Sequence, residues 1–200
     1  VTSAGRINQR LRHQGADLTT CNWSDWSCMR KGNISSVVVG LALAAMITGC
    51  APRVVNLSSS FDVGQAGRMT QKGVNIITGS ALIRQQGGGV VTCAGLPVSL
   101  IPSTAYADER IRVLYGNNLR GYSSVNQAVR FQPDPSTFYQ LTKDTVCDAQ
   151  GNFQFMNVAD GTFYVVSRIT WMVGYSAQGG SIMQQVTVQG GDAKQVVLSP

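Results

Sequence analysis

The sequence predicts an all-β chain: an antiparallel β-sandwich of seven or eight short strands, preceded by an export signal and a flexible tether. Three observations predict the sandwich. Residues 153–158 and 163–170 alternate apolar and polar side chains with a period of two, the signature of a half-buried strand. Gly, Asn, Asp and Pro separate such segments, as at residues 148–152, 160–161 and 190–192. No stretch holds a helical period of convincing length, so two sheets burying one another are favoured over a layered α/β fold.

The first 28 residues are polar and aperiodic, with Arg6, Arg10, Arg12, His13, Cys21 and Cys28. Two Cys and one His lack the fourth protein ligand of a closed zinc site, so the segment is set aside as an upstream extension or an over-extended start. From Met29 the pattern changes. Arg30 and Lys31 precede an apolar run over residues 37–47, and Thr48-Gly49-Cys50 follows. The run is shorter than the roughly 20 residues a permanent membrane helix needs, so it reads as a cleaved export signal over residues 29–49.

Ile47-Thr48-Gly49-Cys50 resembles the bacterial lipoprotein signal motif, in which the Cys thiol is acylated and becomes the first mature residue. The resemblance implies a lipid anchor on Cys50, palmitate among its acyl groups, and a membrane as the first partner. Ala51 stands where an inner-membrane retention signal places Asp, which implies the outer membrane, with the domain facing the periplasm. Residues 50–75 are rich in Ser, Gly, Gln and Asn and read as the acylated Cys and its tether.

The full chain of 200 residues carries a formal charge of +6. From Cys50 onward 11 Lys and Arg face 8 Asp and Glu, an excess of only +3, scattered rather than clustered. No run tracks a phosphate backbone, so nucleic acid is excluded as a partner.

Elements of the mature part follow in order. Residues 76–84 alternate and form a strand, and Gly87-Gly88-Gly89 reverses the chain into residues 90–93. The triple Gly lacks the Lys-Ser or Lys-Thr of a phosphate loop. A short strand at 98–102 ends at Pro102. Residues 105–115 read as a turn or two of helix leading into a strand, and 117–137 as a long irregular connection of the kind that carries binding. Residues 138–142 read as a strand. Asp148 to Asn152 form a tight turn with Gly151 at positive φ, followed by a strand with Phe153 and Phe155 on one face. Asp160-Gly161 turns into the strand over 163–170, and residues 186–188 and 196–198 close the sheets.

Gly95-Leu96-Pro97-Val98-Ser99-Leu100, Asp148-Ala149-Gln150-Gly151-Asn152-Phe153-Gln154-Phe155 and Asp160-Gly161-Thr162-Phe163-Tyr164 resemble the carboxypeptidase regulatory-like, or transthyretin-like, β-sandwich family over roughly residues 76–199. The resemblance implies a fold for residues 76–200 and no chemistry of its own. Cys93, Cys147 and the long 117–137 connection stand outside that pattern.

With Cys50 acylated, Cys93 and Cys147 are the cysteines left in the mature domain. An oxidising periplasm favours pairing them, and a loop of this length contributes about 3–5 kcal/mol in the chain-entropy model. Two separate thiols are the alternative.

The mature part contains no His, which removes Ser-His-Asp and Cys-His catalysis and His-containing zinc sites. Asp108, Glu109, Asp134, Asp144, Asp148 and Asp160 read as turn and surface residues; Asp144 and Asp148 lack the ligand density of a calcium loop. No enzyme activity, cofactor or metal is expected. Tyr106, Tyr115, Tyr122, Phe131, Tyr139, Trp171 and Tyr175 are the candidates for exposed aromatics, with Trp171 and Tyr175 feeding a flexible tip. Two functions remain: a non-enzymatic lipid-anchored envelope module that meets a protein partner, or a module that binds peptidoglycan or polysaccharide through Trp171, Tyr175 and the 117–137 loop.

Overall fold

The computed structural model describes residues 52–200, which form eleven strands and three helices: β1 (Arg53–Asn56), α1 (Val63–Met69), β2 (Asn75–Arg84), β3 (Val90–Thr92), β4 (Pro97–Pro102), α2 (Ala105–Tyr115), β5 (Arg120–Ser124), β6 (Val129–Gln132), α3 (Ser136–Gln140), β7 (Lys143–Val146), β8 (Asn152–Val158), β9 (Gly161–Val173), β10 (Ser176–Val188) and β11 (Ala193–Leu198). The upstream extension, the signal segment and Cys50 lie outside the described residues.

The expected sandwich is there. One sheet is wholly antiparallel, in the order β5-β10-β9-β4-β7. In the other, β11 runs parallel to β2 along one edge, while β8 and then β3 pair antiparallel to β2 along the opposite edge. Period-two alternation turns Ile77 and Ala81 of β2, Phe153 and Phe155 of β8, and Val165 and Ile169 of β9 into one core between the sheets. Gly151 at φ 83° makes the turn before β8, where Asp148 Oδ1 accepts from the amides of Gln150 and Asn152.

Cys93 and Cys147 form a disulfide with Cα atoms 5.8 Å apart. Cys93 follows β3 of one sheet and Cys147 follows β7 of the other, so the bridge ties the two sheets at one corner of the core.

The five-stranded sheet is covered on its other side too. Tyr164 and Met183 point away from the first core and are buried beneath α2, where Tyr106, Ala107 and Ile111 meet Phe131 and Phe138 in a second core. Phe61, Tyr106 and Phe138 pack edge to face at centroid distances of 5.4–5.5 Å, an arrangement aromatic quadrupoles favour.

That layer corrects several expectations. Residues 105–115 are one continuous helix, started by the Thr104 hydroxyl accepting from the Ala107 amide and ended by Gly116 at φ 78°. The 117–137 connection contains β5 and β6. Residues 138–140 are the end of α3 rather than the start of a strand, because Phe138 is drawn into the second core. The strand count exceeds seven or eight because β1, β5 and β6 arise in stretches read as tether or loop.

The tether expectation fails from Arg53 onward. β1 pairs parallel with β6, Leu57 and Phe61 pack in or against the second core, and Asp62 caps α1 by accepting from the Gln65 amide. Glu109 of α2 clamps the linking segment. Its carboxylate accepts from the Ser58 amide at 2.9 Å and the Ser59 amide at 2.8 Å, and those amides hold its pKa down at about 2.

Candidate functional site

The aromatic pair singled out in the sequence is split by the fold. Trp171 and Tyr175 lie on the β9–β10 hairpin, four residues apart, yet only Trp171 reaches a cleft. Tyr175 sits at the hairpin tip beside Gly174, which takes φ 57°, and its side chain is fully exposed. Met172 and Val173 before it are exposed as well.

Trp171 faces inward, as Ile169 does two residues earlier, but it lies where the opposing sheet runs out. β2 ends at Arg84, and the turn that follows leaves an open cleft of about 600 Å³ between the sheet ends. Trp171 forms part of its wall and packs against the first core, half-buried. Gln178 lies directly opposite Trp171 in the β9–β10 ladder and therefore shares its face.

Tyr122 completes the aromatic wall. It is opposite Ile182, a core residue, in the β5–β10 pair, so its ring also points to the inner face. Its hydroxyl donates to the Gly179 carbonyl at 2.7 Å. Gly179 is what lets the rings come together: at φ 88° it takes a backbone conformation that suits Gly, and a Cβ there would stand 2.7 Å from Cζ3 of Trp171. The Trp171 ring therefore lies directly on the Gly179 backbone, whose carbonyl holds Tyr122.

The rest of the cleft mixes apolar Ile83, Val173 and Pro200 with polar side chains. Arg84, Gln86 and Gln178 are exposed there, and among the described residues Arg84 forms no ion pair. Two fixed aromatic faces among amide and guanidinium donors form a surface that can stack on a ring and hydrogen-bond its substituents. Gln85 is tied into the turn by its main chain, its backbone N–H donating to the Gly89 carbonyl.

The other residues considered from the sequence are placed elsewhere. Tyr106 and Phe131 are buried in the second core rather than exposed, Tyr115 is half-buried, and Tyr139 is exposed on α3. Cys93 and Cys147 serve the disulfide. The carboxylates are dispersed and engaged: Asp108 accepts from Ser103 and Tyr164, Asp144 from Ser99, Asp160 from Asn75 and the Gly190 amide. Among the described residues no group of three His, Cys, Asp or Glu side chains is placed to hold a metal.

Sequence reasoning assigned Tyr122 to an irregular loop and missed Arg84, Gln86 and Gln178. Arg120-Gly121-Tyr122-Ser123-Ser124 carries no apolar alternation, so nothing in the sequence marked this short edge strand.

No family model and no curated protein matches the chain. Among solved structures, the chain is similar to a protein from Pseudomonas aeruginosa described as "a putative carbohydrate binding protein": 21% identity, a TM-score of 0.58, with 71% of this chain and 99% of that one covered. At that identity the likeness shows the shared fold. A chlorocatechol 1,2-dioxygenase from Pseudomonas putida aligns at 12% identity and a TM-score of 0.25, over 83% of this chain and 78% of that one.

Proposed function

We propose that the protein is a non-enzymatic glycan-binding module of the cell envelope, attached through a lipid on Cys50. The observation that carries the binding reading is the pair of aromatic rings, Trp171 and Tyr122, fixed on one face of a cleft whose remaining donors are Arg84, Gln86 and Gln178. Sugar rings present apolar C–H faces and a rim of hydroxyls, which such a wall can stack on and hydrogen-bond. The name given to the similar Pseudomonas aeruginosa protein supports the same class of ligand. The lipid anchor rests on Met29 to Cys50, and the family resemblance of residues 76–200 agrees with a binding sandwich rather than an enzyme.

The test is calorimetric titration with peptidoglycan fragments and neutral oligosaccharides. Truncating an aromatic anchor at the centre of a contact costs about 2 kcal/mol or more, so Trp171→Ala should weaken binding roughly 30-fold. Tyr175→Ala, outside the cleft, should leave it unchanged. Neutral-oligosaccharide binding that survives Trp171→Ala, or no binding of any glycan, would remove the proposal.

A second reading has its own observation. Met172, Val173 and Tyr175 expose an apolar hairpin tip, which suits a protein partner in the envelope. Crosslinking from Tyr175 to a single envelope protein, with intact glycan-free function, would favour it.

A further inference from the structure

Across the sheet from Trp171, on the face that carries α2, lies a second cleft of about 520 Å³. Its floor is a row across three strands. Arg168 of β9 is opposite Ser181 of β10, and Ser181 is opposite Ser123 of β5, so the three side chains share one face. Val166, two residues before Arg168, packs against the second core, which identifies that face as the outer one.

The row is built with hydroxyl chemistry to spare. Tyr115, at the end of α2, places its hydroxyl 2.6 Å from Ser181 Oγ, and burial pushes the Tyr115 pKa up, keeping it a neutral hydroxyl. Whichever of the two donates in that bond, the other keeps a hydrogen for a ligand. Ser123 Oγ donates to Gln127 Oε1 at 2.9 Å, which leaves the Gln127 amide nitrogen as a donor.

Charge in the cleft is unbalanced. Three guanidinium groups, Arg110, Arg130 and Arg168, face one carboxylate, Asp134. That carboxylate is already spent: Arg110 Nη1 stands 2.5 Å from Asp134 Oδ1, and the Tyr139 hydroxyl donates to both of its oxygens. Arg110 is also held in place, its guanidinium 4.3 Å from the Phe131 ring centroid and 4.6 Å from that of Phe138. Arg130 and Arg168 are exposed in the cleft, and among the described residues neither forms an ion pair.

We propose that this cleft binds an acidic sugar, a hydroxylated ring bearing a carboxylate or phosphate group. The oxyanion is met by Arg130 and Arg168, and the ring hydroxyls by the row Ser123, Ser181 and Tyr115. Guanidinium forks match carboxylate and phosphate oxygens in pairs, and the low-charge floor beside them suits neutral hydroxyls. The inference stands apart from the Trp171 cleft, which uses other residues on the opposite face.

The experiment is titration of the full chain with trigalacturonic acid, glucose 6-phosphate, glucose and inorganic phosphate. Saturable binding of one of the two acidic sugars is expected, and which one binds distinguishes carboxylate from phosphate. Arg168→Gln and Arg130→Gln should each weaken it about tenfold or more, since each removes a charge-assisted hydrogen bond. Both arginines are exposed, so these variants should retain the parent's circular dichroism and melting temperature. Affinity should fall with added salt and be unmoved by Trp171→Ala. The proposal is overturned if neither acidic sugar saturates, if glucose or inorganic phosphate binds Trp171→Ala as tightly as the acidic sugar does, or if the arginine variants bind like the parent. Acidic-sugar binding lost in Trp171→Ala and kept in both arginine variants would assign the ligand to the other cleft and equally refute this one.

Discussion

Removing the Cys93–Cys147 bridge should lower stability by an amount the structure allows one to work out. The two residues are 54 apart in sequence, and a loop of that length adds about 4 kcal/mol at 25 °C in the chain-entropy model. Both side chains are buried in the first core. In the variant Cys93→Ala/Cys147→Ala each lost sulfur leaves a gap comparable to a deleted methylene, costing about 1 kcal/mol apiece. For a folded unit of this size each kcal/mol moves the melting temperature by about 2–4 °C, so the double variant should melt about 12–24 °C below the parent. Reduced parent protein, with both thiols verified by alkylation and mass, isolates the crosslink and should melt about 8–16 °C lower. Thermal unfolding followed by circular dichroism reads both. A reduced parent melting within about 2 °C of the oxidised one would refute the claim that the bridge constrains the unfolded chain.

Other outcomes follow from single contacts. Glu109, whose ordinary pKa of 4.5 is held down to about 2 by the Ser58 and Ser59 amides, contributes stability that is fully present above pH 4.5 and lost as pH falls toward 2; urea midpoints across that window should be flatter in Glu109→Gln, and identical slopes would refute the clamp. Gly179→Ala should destabilise by about 1 kcal/mol or more and alter Trp171 fluorescence, because a Cβ at φ 88° would strike the ring; an unshifted spectrum and melting temperature would contradict that contact. Cys50→Ser in the expressed gene should abolish palmitate incorporation and release the protein from membranes, and undiminished labelling would reject the acylation site.

The sandwich was legible where one face of a strand is buried and the other wet. In 153–158 and 163–170 the alternation is plain, and the turns at Gly151 and Gly161 bound it. It blurs where both faces are covered: Phe163, Tyr164 and Val165 are all buried, because α2 sits behind β9. The helix was concealed by its own chemistry. Its buried side includes Tyr106, Ala107, Arg110 and Ile111, and an arginine in that stripe breaks the apolar period a reader looks for. Phe138 and Tyr139 favour strands by type, and the second core overrode that preference. At the site, Trp171 stood out by size and neighbourhood. Tyr122 did not, since its partnership with Trp171 depends on a ladder linking residues about 50 positions apart, which local pattern does not report.

Strand β5 serves two clefts with adjacent residues. Tyr122 faces the aromatic cleft and Ser123 the hydroxyl row, so the division of labour on this edge depends on reading frame along the strand rather than on separate loops. Inserting or deleting one residue between Arg120 and Tyr122 would rotate every following side chain to the other side, handing a phenol to one cleft and a serine to the other. Drift by substitution can tune either surface independently. Drift in length on this edge must change both at once.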